Sequence, residues 1–159
     1  MRALNSPLEV GVRALVLLAA SFPRPLDLAQ LVYLDYAMLH SGTMDGPPSV
    51  HPSLPAGPGE LAMKRHLLEQ GLVVLMRAGL ADVQTNDSGL AYRASEEGPG
   101  FLDLLEAPYV AALRERAQWA LAFHSGAAPA DSRSPMDDIT RQWMNTFDSR
   151  LPRLEDDDD

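Results

Sequence analysis

A chain of 159 residues that is 46% hydrophobic and 22% charged has the length of one domain and enough apolar content for one core, which excludes global disorder. It holds no cysteine, which excludes disulfide frameworks, thiolate metal sites and cysteine nucleophiles and points to a cytoplasmic setting. The net charge is −9, with nine acids against four arginines in residues 125–159 and thirteen acids against nine bases in residues 1–124, so neither part has the basic excess that binds a phosphate backbone.

Pro7-Leu8-Glu9 opens a helix predicted to run to about Phe22, with Leu8, Val12, Leu15, Ala19 and Phe22 on one face. Val10, Leu17 and Leu18 make its other side apolar too, the mark of a helix at the centre of a domain. The stretch is broken by Arg13 and closed by Pro23, far short of a membrane span, and it lacks the cleavage pattern of a signal peptide. Asp27 is placed to cap a second helix carrying Leu28, Leu31, Val32, Leu34, Met38 and Leu39, which Ser41-Gly42 ends near His40. Residues 43–59 hold five prolines and are expected to form a long loop, ordered or not.

Glu60 to Ala78 reads as a third helix, with Leu61, Leu68, Leu72 and Leu75 as its stripe and Gly79 just past its end. Gly71 inside it costs about 1 kcal/mol relative to alanine, so it marks a close packing contact or a bend. Leu80 to Thr85 and Leu90 to Ala94 flank the turn Asn86-Asp87-Ser88-Gly89 and predict a hairpin. Ser95-Glu96-Glu97 is placed to cap a short helix with Phe101, Leu102 and Leu105, and Pro108 begins another with Tyr109, Leu113, Trp119, Ala120 and Phe123. The expected division is a domain over 1–124, a linker over 125–135, an amphipathic helix over 136–151 and an acidic tail over 152–159.

Three helices followed by a two-stranded wing resemble a winged helix, so the predicted fold class is mainly α, with a winged-helix-like core and additional C-terminal helices. Fold alone does not settle function, since winged helices bind protein as well as DNA. A more detailed pattern spans residues 6–124. It consists of Ser6-Pro7-Leu8-Glu9-Val10-Gly11-Val12-Arg13-Ala14-Leu15, Leu34-Asp35-Tyr36, Leu39-His40-Ser41-Gly42, Asp45-Gly46-Pro47-Pro48-Ser49, His51-Pro52 and Phe101-Leu102-Asp103-Leu104-Leu105. It resembles the middle component 2 family of bacterial ABC-three-component systems, which are similar to Lamassu-type antiphage defence. The resemblance leaves residues 127–159 outside. It implies a small non-catalytic adaptor beside an SMC- or Rad50-like ABC ATPase and an effector, with DNA contacted weakly or through the ATPase. It brings no catalytic residues with it.

The chain has no phosphate loop of the G-x-x-x-x-G-K-[ST] form, no G-x-S-x-G elbow and no H-E-x-x-H pair, and its histidines, His40, His51, His66 and His124, are scattered. No catalytic residue, cofactor or metal ligand is therefore assigned, and a carboxylate enzyme is the weakest alternative. Asp35 lies in an apolar helix, where a carboxylate needs a cation or a surface. Either it pairs with Arg13 or Arg65, or Asp35, Tyr36 and His40 form a partner-docking face.

The restricted loop from Ser41 to Pro52 offers Asp45, Pro47, Pro48 and His51 as partner contacts. Trp143 and Phe147, with Ile139 and Met144, give the last helix an apolar face that either packs on the domain or fills a partner groove. Lys64, Arg65, Arg77 and Arg93 lie where a DNA-reading winged helix would use them, and they support the alternative of a DNA-binding transcriptional regulator. A homodimer is allowed by analogy of fold, and no membrane contact is expected.

Overall fold

The computed structural model describes residues 6–50 and 58–125. Its first helix, α1, spans Pro7–Ser21, and it starts where predicted because Ser6 Oγ accepts a hydrogen bond from Glu9 N at 3.2 Å and Pro7 needs no amide partner. At its other end Ser21 Oγ donates to the carbonyls of Leu18 and Arg24. Val10, Gly11, the whole run from Arg13 to Leu18, and Ser21 are buried. The helix is apolar nearly all round because it is the axis of the core, with the four α-helices that follow it in the described chain all packed against it.

A two-residue strand, β1 (Leu26–Asp27), leads directly into α2 (Leu28–Leu39). Asp27 serves both elements. Its Oδ1 accepts from Gln30 N at 2.7 Å while Gln30 Oε1 accepts from Asp27 N at 2.9 Å, a reciprocal capping box. Leu26 and Asp27 also pair with Tyr92 and Ala91 of the hairpin. After α2 the chain makes a 3-10 turn over Ser41–Met44.

Helix α3 (Pro58–Arg77) crosses α1 at a pair of glycines. A Cβ on Gly71 would stand 2.7 Å from Gly11 N and 3.0 Å from Gly11 Cα, so the two backbones touch. The close packing contact is what Gly71 marks. Gly79, at φ 74°, ends the helix in a Schellman motif: its own amide donates to Met76 O and that of Leu80 to Leu75 O.

Strands β2 (Ala81–Asn86) and β3 (Gly89–Ala94) form the predicted hairpin, antiparallel from Ala81↔Ala94 to Asn86↔Gly89. With β1 they make a sheet of order β1-β3-β2. The sequence of elements α1-β1-α2-α3-β2-β3 is that of a winged-helix-like core, and α4 (Gly98–Asp103) and α5 (Pro108–Ser125) are added to it. One local expectation is corrected. The N-cap of α4 is Glu97, with no side-chain cap, and Ser95 Oγ instead donates to Gly79 O at 2.7 Å. Ser95 thus ties the exit of the hairpin to the exit of α3. The linker, the amphipathic helix and the acidic tail expected after residue 125 lie outside the described residues.

Candidate partner-docking surface

Asp35 is completely buried on α2, and both of its oxygens are used. Arg13 of α1 donates from Nε to Oδ1 at 2.9 Å and from its terminal nitrogen to Oδ2 at 3.2 Å. Lys64 of α3 adds its Nζ to Oδ2 at 2.7 Å. Burial alone would raise the Asp35 pKa, but the charges of Lys64 and Arg13 outweigh it and hold the carboxyl well below the usual carboxylate range. The same pairing raises Arg13 against its own desolvation. Nearby, burial and hydrogen bonding to Glu9 push the Tyr109 hydroxyl of α5 up to about 12, although Arg13 pulls it the other way.

This network joins the first three helices. Of the two pairings expected for Asp35, the structure contains the one with Arg13, and the second cation is Lys64 rather than Arg65. Arg65 is exposed and stands 3.9 Å from Glu69, one turn further along α3. Asp35 is therefore not on the surface that a partner would touch. Next to it, Tyr36 and His40 are half-buried, with ring centroids 4.9 Å apart at 47°.

From His40 the chain builds a corner whose backbone is closely held. Thr43 Oγ1 donates to His40 O, Gly46 N to Ser41 O, Val50 N to Leu39 O, and Ser41 Oγ to Pro47 O at 2.8 Å. Gly42 N donates to Ser49 Oγ at 2.9 Å, and Asp45 sits in the left-handed region at φ 58°. Helix α5 fixes this corner from outside. Arg116 donates from Nε at 3.1 Å and from a terminal nitrogen at 3.0 Å to the single carbonyl of Pro48.

Gly46 lies flat against the Trp119 indole, where an added Cβ would overlap the six-membered ring. Trp119 in turn stacks on Phe123, with centroids 5.3 Å apart. The result is a rigid ridge in which Asp45 and Pro48 are exposed and Pro47 is half-buried. Of the proposed contact residues, Tyr36, His40, Asp45, Pro47 and Pro48 fall on the end of α2 and the corner that follows it. His51, Trp143 and Phe147 lie outside the described residues.

The four cations of the alternative reading are not free in the same degree. Lys64 is held on Asp35, Arg65 has Glu69 beside it, and Arg93 stands opposite Asp82 in the hairpin, which leaves Arg77 exposed near the end of α3. Arg116 was not singled out from the sequence at all, and Trp119 only as an apolar contact. Neither carries a local signal, because their partners are 68 and 73 residues away in the chain. Among the described residues no three His, Asp or Glu side chains are grouped to hold a metal ion, and no helix is long and apolar enough to cross a membrane.

The model of the family described as ABC-three component (ABC-3C) system Middle Component 2 matches residues 3–146. The match extends past residue 124, the end of the pattern legible in the sequence, and so includes much of the segment after α5. No curated protein and no solved structure matched the chain. The chain belongs to the Middle Component 2 family of ABC-three-component antiphage defence systems, as an accessory component.

Proposed function

We propose that this component bridges the SMC- or Rad50-like ABC ATPase and the effector of its system, or restrains the effector until foreign DNA is sensed. Docking is through the corner Asp45-Gly46-Pro47-Pro48 with Tyr36 and His40 behind it. The observation that carries this reading is the double hydrogen bond from Arg116 to Pro48 O, which fixes an exposed, proline-rich ridge before any partner arrives. A surface ordered in advance loses little entropy on binding, so its contacts count more fully toward affinity. His51, Trp143 and Phe147 are proposed as further contacts.

The test is co-expression of the tagged chain with the ATPase and effector encoded beside it. Asp45→Arg and Pro48→Arg change exposed side chains without touching the hydrogen bonds that build the corner. They are expected to abolish co-purification of at least one partner and to leave the circular dichroism spectrum unchanged. Undiminished co-purification of both partners by both variants would sink the assignment of this ridge. Alanine at His51, Trp143 or Phe147 in the same assay tests the additional contacts individually.

A further inference from the structure

We infer that the free edge of β2 pairs with the same edge of a second copy, forming a continuous antiparallel sheet across a two-fold axis at Val83. In the order β1-β3-β2, the central strand is β3, and among the described residues β2 pairs with β3 alone. The register fixes which backbone groups remain unused. Asn86 and Gly89 close a two-residue turn, so hydrogen-bonded pairs alternate down the ladder as Asn86↔Gly89, Gln84↔Ala91 and Asp82↔Arg93. Val83 and Thr85 then direct their N–H and C=O groups away from β3, along the open edge.

Edges of this kind are usually blunted by proline, lysine, a bulge or extreme shortness. This one is six residues long, regular in register from end to end, and contains neither proline nor lysine. Its side chains supply a second, independent observation. Val83 and Leu90 are 45% and 56% exposed, and the register places Val83 opposite Tyr92 and Leu90 opposite Thr85, so all four share one face of the hairpin. The root of that face, Ala81 and Ala94, is buried in the core. The hairpin therefore extends an apolar strip beyond the helices that cover its base.

A second copy fits this edge better than an arbitrary strand because of the charge pattern. With the axis at Val83, the two valines face each other, Asp82 lies opposite Gln84 of the other copy, and Ala81 lies opposite Thr85. No like charges meet. An axis at Asp82 would set the two aspartates face to face, and an axis at Gln84 would run Ala81 against Asp87 in the turn, leaving only Val83 and Thr85 to pair. The Val83 axis alone engages the outward groups of Ala81, Val83 and Thr85 together. It also brings the Leu90–Thr85 row of one copy level with the Ala81–Ala94 row of the other, which extends the covered face over the exposed wing. The paired area is small for a protein interface, so a weak, concentration-dependent dimer is expected.

Sedimentation velocity of the full chain over a concentration series tests the pairing. Self-association is expected, weakened at least about tenfold by Val83→Lys, which sets two lysines face to face. Thr85→Pro removes an outward amide and leaves the ladder to β3 intact, and it is expected to weaken the dimer likewise. Mixing Val83→Lys chains with Val83→Glu chains should restore a heterodimer, a gain that a folding defect cannot produce. A wild-type chain that stays monomeric at submillimolar concentration overturns the inference, as does a dimer indifferent to these substitutions. Protection of the Val83 and Thr85 amides from exchange only when another subunit is added would overturn it too, by assigning the edge to a different strand.

Discussion

The guanidinium of Arg116 closes on the carbonyl of Pro48 with two hydrogen bonds, at 3.1 and 3.0 Å, and so ties α5 to the loop after α2. Arg116→Ala removes both bonds and so loosens the corner whose Gly46 presses on the Trp119 ring. A hydrogen bond of this kind contributes about 1 kcal/mol net, so the variant is expected to remain folded with only a small loss of stability. The local consequence is larger. In a Trp143→Phe background, where Trp119 is the remaining tryptophan, its emission should shift to the red and become more accessible to acrylamide. Unchanged quenching would show that the corner is held without Arg116.

Gly71→Ala is a second probe, and two effects of opposite sign make it informative. Alanine in a helix interior gains about 1 kcal/mol over glycine. Here, however, its Cβ would stand 2.7 Å from Gly11 N, on a backbone that cannot rotate away. Overpacking of this sort costs about 1–3 kcal/mol, so net destabilisation is expected in urea unfolding, with an unchanged m-value. Gly11→Ala meets Gly71 O at 3.2 Å and should be the milder of the two. A stabilised Gly71→Ala would mean that α1 and α3 have room to separate.

The limits of reading these features from sequence are physical. The amphipathic and capping signals are local, which is why α1, the Asp27 cap, Gly79 and the hairpin turn are all legible in order along the chain, although the return bond from Gln30 is not. Strand β1 was not, since two residues show no periodicity and owe their conformation to Tyr92 and Ala91, more than sixty positions away. The partners of Asp35 were legible by half. Arg13 lies on the helix that must be buried, so it needed a carboxylate. Lys64 and Arg65, in contrast, flank the Leu61, Leu68, Leu72 and Leu75 stripe on opposite sides, each about 50° from its centre at 3.6 residues per turn. Which side faces α2 depends on how the helices pack, and no property of α3 alone decides it. The Arg116–Pro48 contact was invisible for the same reason, because both groups look like ordinary surface chemistry until the loop is laid on α5.

Asp35→Asn removes the anion from between two cations, one of them buried with it, and should cost about 3–5 kcal/mol. Replacing the whole set, as Arg13→Met, Asp35→Leu and Lys64→Met together, should cost much less, because no charge is then left unpaired. The pH dependence follows from the direction of the Asp35 shift. Folding lowers its pKa, so the unfolded chain binds the proton more readily and the associated stability is fully present above the unfolded value of about 3.9. It is lost as pH falls below that value toward the folded one, with a slope approaching about 1.4 kcal/mol per pH unit. Urea titrations at successive pH values should show this steepening in the wild type and a shallower acid limb in the triple variant. Parallel acid limbs would remove Asp35 as its source.

Binding of DNA by the isolated chain is decided by the distribution of its charge. Electrostatic affinity grows with the number of phosphates that free cations can neutralise. On the winged-helix face, Lys64 is committed to Asp35 at 2.7 Å, Arg93 has Asp82 directly across the strands, and Arg65 has Glu69 within 4 Å. Recruiting Lys64 to a phosphate would strip one cation from a buried carboxylate, at a cost comparable to what the phosphate contact returns. Arg77, at the exposed end of α3, cannot supply specific affinity by itself in a chain of net charge −9. The isolated chain is therefore expected not to retard duplex DNA in gel shifts at physiological salt. Any retention at low salt should fall steeply as salt is added and should be indifferent to base sequence. Lys64→Met should lower the unfolding midpoint without changing that residual binding, whereas a DNA-reading role would produce the opposite result: loss of retardation in a chain of unchanged stability.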